Sequence, residues 1–92
     1  MYTAELSVAL LFAHGVRLDN RDCKAICRVK SPNKTEIQEL VRKVLDLEIK
    51  KETALFLSAR TRVKIDGKLF GDITVINEQF EDEIFDFYKI EK

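Results

Sequence analysis

Between Ser31 and Lys51 the apolar residues fall at Ile37, Leu40, Val41, Val44 and Leu45, that is at i, i+3, i+4, i+7 and i+8. This spacing puts all five on one face of an α-helix and fits no strand. Ser31-Pro32 marks the entry, because the residue before a proline is pushed out of the helical region. Two capping boxes are on offer, Thr35 with Gln38 and Asn33 with Glu36. Glu36 and Glu39 sit in the early turns and Lys50 and Lys51 at the end, both suited to the helix dipole. The pattern predicts one long helix over about 33–50. A lone helix of this length is marginal in water, so its stripe needs a surface to cover.

The rest of the chain alternates with a period of two. Leu6, Val8, Leu10 and Phe12 share one face of a stretch from Glu5 to Phe12, which reads as a strand. A helix from Thr3 to His14 stopped by Gly15 competes with it, since Ala, Glu and Leu favour helices. Residues 15–22 (GVRLDNRD) carry turn chemistry in Gly15 and Asp19-Asn20. Cys23, Ala25, Cys27 and Val29 then share a face opposite Lys24, Arg28 and Lys30, with Ile26 an exception, so the first two strands predict a hairpin. From Thr53 to Ile65 the residues Leu55, Leu57, Ala59, Thr61, Val63 and Ile65 line one side. Ala54, Phe56, Ser58, Arg60, Arg62 and Lys64 line the other. Asp66-Gly67 supplies a two-residue hairpin turn. A strand from Lys68 to Ile76 follows, with a bulge at Gly71-Asp72 needed to bring Ile73 and Val75 to the core side. Residues 77–92 fit either a helical stripe (Phe80, Ile84, Phe87, Tyr88) or a turn over 77–82 and a strand over 83–90; the aromatic and β-branched density favours the strand.

The predicted order is ββαβββ, an α+β single domain spanning 1–92, with the helix packed on a mostly antiparallel sheet. The order resembles the ubiquitin-like β-grasp superfold, in which a leading hairpin is followed by a helix across the sheet. The stretch ALFLS, the DGK turn and the closing aromatic strand echo the second half of such domains. Conjugated members end in Gly-Gly, whereas this sequence ends Ile90-Glu91-Lys92, which implies a non-conjugated domain.

Composition narrows the picture. With 46% apolar and 35% charged residues among 92, the chain has enough apolar content for a core, which argues against disorder. The apolar run Val8 to Ala13 is too short to cross a bilayer, and the N-terminal patch lacks a basic n-region and is broken by Glu5. Two cysteines four residues apart on a strand lie too far from each other for a disulfide, and free thiols suit a cytoplasmic or nuclear compartment. Net charge is zero but uneven. Residues 1–30 carry five Lys/Arg and three Asp/Glu (+2), residues 31–70 nine and six (+3), and residues 71–92 two and seven (−5).

The candidate chemistry is thin. His14 is the sole histidine, and neither Cys23 nor Cys27 stands at a spacing that demands a Cys–His pair. Those three would make an incomplete zinc set. The three glycines are scattered, so no phosphate loop forms. We therefore expect no enzyme activity, no metal and no cofactor. What remains is a basic strand face of Arg60, Arg62 and Lys64, with Phe56 beside them and Lys68 close across the turn. The acidic stretch Glu81, Asp82, Glu83 and Asp86 forms a second candidate surface. The expected role is a protein–protein interaction domain, an adaptor or a regulator that occupies a partner's surface, as many small viral inhibitors do. The alternative is a nucleic-acid-binding domain using the basic strand, since cations interleaved with an aromatic can hold a single strand. Three or four phosphate contacts would make such binding weak.

Overall fold

A computed structural model describes residues 1–78 in full and the backbone of residues 83–87. Strands β1 (Tyr2–His14) and β2 (Arg17–Val29) form a hairpin, helix α1 (Lys34–Lys50) follows, and β3 (Leu55–Ile65), β4 (Lys68–Ile76) and β5 (Glu83–Phe87) complete the chain. The sheet runs β2-β1-β3-β4-β5, and every ladder is antiparallel. The α+β class and the helix-on-sheet arrangement follow the sequence pattern.

One sheet face is the core. Leu6, Val8, Leu10 and Phe12 of β1 are buried there, with Ala59, Val63 and Ile65 of β3 and Ile73 and Val75 of β4. Helix α1 lays Ile37, Val41 and Leu45 on this face, while Leu40 and Val44 are partly buried along its flank. Its N-cap is Asn33, whose side chain accepts from the Glu36 amide; Thr35 plays no part. Glu36 reaches back past the cap, accepting from the amides of Lys30 and Ser31 at 2.8 and 3.0 Å. Arg21 of β2 clamps the other end of the helix, pairing with Glu48 at 3.1 Å and with Glu52.

The first hairpin departs from expectation. Residues 15–22 are not a turn region. The turn is Gly15-Val16 alone, and Asp19 and Asn20 lie within β2 opposite Phe12 and Leu11. Gly15 has φ +61° and Val16 is not in the left-handed region, the signature of a II′ turn in which the first central residue must tolerate positive φ. At Asp66-Gly67 both central residues have positive φ (48° and 81°), giving the predicted two-residue turn in its I′ form. Asp66 ties this turn to β1, exchanging backbone and side-chain hydrogen bonds with Thr3 at 2.9 Å.

Two bulges reset the faces of β3 and β4. The β1–β3 register slips between Leu11 and Phe12, where Leu57 is the extra residue. Below it Phe56 turns into the core and packs edge-on against Phe12, ring centroids 6.0 Å apart, while Leu55 points out and is 60% exposed. The predicted assignment of Leu55 and Leu57 to the core face is thus corrected. The β3–β4 register slips at Phe70, one residue before the predicted bulge. That shift brings Ile73 and Val75 inward as required. The strand alternative for the last segment holds over Glu83–Phe87; the predicted turn residues 79–82 and strand residues 88–90 lie outside the described residues.

Candidate functional site: the outer sheet face

The helix covers one side of the sheet, and no other described element lies over the opposite side. Along β3 the odd positions from Ala59 to Ile65 are buried, so Arg60, Arg62 and Lys64 point away from the core, as the alternation predicts. Register places each beside defined neighbours. Lys64 stands opposite Glu5, Arg62 opposite Ser7 and Arg60 opposite Ala9. On the far side of β1 these same residues meet Ile26, Lys24 and Asp22 of β2. Ser7 and Ala9 are small, so the face dips along β1. One depression of about 400 Å³ is lined by Ser7, Ala9, Asp22 and Lys24, and another of about 270 Å³ by Glu5, Ser7, Lys24, Ile26 and Lys64.

The bulge at Phe70 brings Asp72 onto this face, opposite Arg62. Asp72 is 3% exposed. Arg60 Nη2 donates to Asp72 Oδ2 at 3.2 Å, and Arg62 Nε stands 3.5 Å from Oδ1, in ion-pair range but without hydrogen-bond alignment. The two arginine side chains remain more than half exposed. One buried carboxylate therefore anchors two arginines and leaves most of their donors facing solvent. On β1 to β4 the face carries Lys24, Arg28, Arg60, Arg62 and Lys64 against Glu5, Asp22 and Asp72.

Two expected members are not on this face. Phe56 is buried on the core side because of the Leu57 bulge. Lys68 pairs with Ile65, so it belongs to the helix side and is exposed only because it ends the strand. Of the acidic candidates, Glu81 and Asp82 lie outside the described residues. Glu83 and Asp86 belong to β5, where the backbone sets them opposite Val75 and Asp72. Asp72 was visible in the sequence only as a bulge position; moving the bulge by one residue is what makes it a partner of the arginines.

The catalytic candidates are kept apart. His14 is at the hairpin tip, 3.0 Å from the Asp19 carboxylate, which Arg17 also approaches at 3.4 Å. Cys23 pairs with Val8, six residues up β1 and about 20 Å away along the strand. Burial, then the Glu48 carboxylate, pushes the Cys23 thiol up, the wrong direction for a nucleophile. Both cysteines are free. Among the described residues no group of three or more His, Cys, Asp or Glu side chains is placed to hold a metal, and no helix is long and apolar enough to cross a membrane. Compared with known proteins, the chain matches no family model, and neither the curated proteins nor the solved structures give a significant match.

Proposed function

We propose that this chain is a small non-catalytic protein-interaction domain, an adaptor or regulator that engages an acidic surface of its partner through the outer sheet face. The observation that supports this most is Asp72, a buried carboxylate that contacts both Arg60 and Arg62. Fixed guanidiniums lose less entropy on binding than free ones, and their spare donors match carboxylates in pairs. Lys64 and Lys24 extend the basic character on either side of the Ser7–Ala9 dip. The likeness to the β-grasp superfold is proposed at the level of element order alone, a hairpin followed by a helix across the sheet. Two free cysteines fit a reducing compartment, so the proposed place of action is the cytoplasm or nucleus.

Nucleic acid is the weaker reading. With Phe56 turned inward, the arginines lack the stacking partner that the sequence promised. Asp72 also cancels part of their charge. The test is a pulldown from the source cell with wild type and with Arg60→Glu/Arg62→Glu, beside a titration with single-stranded RNA at low and high salt. A protein retained by wild type and lost by the variant, with weak RNA binding, is the expected result. Strong, salt-sensitive RNA binding abolished by the same pair would overturn the protein-partner reading.

A further inference from the structure

The edge of the sheet carries a separate signal. Among the described strands β2 has one neighbour, β1, and its other side is unpaired along thirteen residues. Edge strands are usually kept short, kinked or charged, to deter a second strand. This one has no proline, and its ladder with β1 has no register slip. Its charges are of both signs, alternating from Arg17 through Asp19, Arg21 and Asp22 to Lys24. Asp22 and Lys24 are exposed on the outer face, and neither has an intrachain ion pair or hydrogen bond among the described residues.

A twofold contact needs a surface that complements itself. In an antiparallel pairing of β2 with a second β2, the residue on the axis meets its own copy. The midpoint of Arg17–Val29 is Cys23. Centring the axis there overlaps the whole strand and sets Asp22 opposite Lys24 of the second copy, twice. Moving the axis to Asp22 or Lys24 puts like charges together. Moving it to Ala25 restores a pairing, Asp22 with Arg28, but shortens the overlap to Arg21–Val29.

The helix points the same way. Leu40 lines a concavity with Arg28, Val29 and Lys30, so this flank of α1 faces β2. Val44 and Leu47 continue the flank at i+4 and i+7, and Leu47 is 63% exposed. Its neighbour Glu48 reaches Arg21, which sets Leu47 near the level of Cys23. An exposed leucine thus sits next to the helix residue that reaches the middle of β2.

We propose that two copies of this chain dimerise through their β2 edges, antiparallel and centred on Cys23, joining two sheets into one with the Leu47 flanks facing each other across the seam. The contact lies two strands from Arg60 and Arg62 and does not depend on the partner reading, so Arg60→Glu/Arg62→Glu leaves the dimer intact.

The test is light scattering on a sizing column over a dilution series. Wild type is expected to be a dimer. Asp22→Lys and Lys24→Asp should each weaken self-association by about tenfold or more, because each replaces two attractive cross-strand pairs by two repulsive ones. Mixing the two variants should restore dimers, since each supplies the charges the other needs; this also shows that both are folded. A monomeric wild type, single variants that dimerise unchanged, or a mixture that stays monomeric overturns the proposal. Register is read by oxidation with diamide, which takes up two protons and two electrons as two thiols join. Facing Cα atoms in an antiparallel pair are about 4.5–5.5 Å apart, within disulfide reach. Cys27→Ser should cross-link through Cys23 and Cys23→Ser should not; the opposite outcome overturns the Cys23 axis.

Discussion

Single residues set the balance between the two faces of this sheet. Thr61 is fully buried on the core side between Val8 and Ile73, and its hydroxyl has no hydrogen-bond partner. A buried unpaired hydroxyl costs more than a methyl in the same place. Thr61→Val keeps the shape and is expected to stabilise the fold by about 1 kcal/mol. For a domain of this size that raises the melting temperature by roughly 4–8 °C. A thermal melt showing no rise, or a fall, would mean that the hydroxyl is satisfied. Asp72 is a buried carboxylate with one oxygen hydrogen-bonded by Arg60 and the other within ion-pair range of Arg62. Phe56 and Asp72 were hidden from the sequence for one reason. Each lies within two residues of an inserted one, and a shift of one position moves a side chain to the opposite face.

The elements themselves were far more legible than their registers. The α1 stripe, its Asn33 cap and the Asp66-Gly67 turn could be read because each rests on local chemistry: periodicity, a side chain reaching its own backbone, tolerance of positive φ. The β1–β2 hairpin was read too short because its outer half lacks a one-sided apolar pattern. Asp19 and Arg21 occupy core-side positions there, and Arg21 is satisfied by Glu48 and Glu52 of the helix end, partners that no local window contains. The start of α1 also has a pH signature. Hydrogen bonds from the Lys30 backbone, then the Ser31 backbone and hydroxyl, hold the Glu36 carboxyl below its ordinary value. A lowered folded value stabilises the fold above the unfolded value and loses that contribution as pH falls through the folded one. Wild type should therefore exceed Glu36→Gln in stability at about pH 7, with the gap closing towards about pH 3. Denaturant unfolding at the two pH values checks this; a gap that persists in acid assigns the effect to shape instead of charge.

At the scale of the whole molecule, the first hairpin outruns the helix. Thirteen residues of strand extend roughly 43 Å, while seventeen residues of helix cover about 25 Å. The helix ends near Arg21, so the segment from Leu11 to Asn20 reaches past it, its core side closed by Phe12 and Phe56 and then by His14, Asp19 and Arg17. Opening free energy follows buried apolar contact. Amides of residues 13–18 are expected to exchange hydrogen well before those of residues 4–10, read by residue-resolved exchange; equal protection would show that the tip shares the main cooperative unit. The overhang has a further use. The Gly15-Val16 turn lies outside the helix's footprint, with Val16 wholly exposed. A foreign peptide spliced in there, or matched residues trimmed from both strands, changes the reach of the hairpin while the layers beneath the helix stay in register. The hairpin is in that sense an adjustable arm on a fixed body.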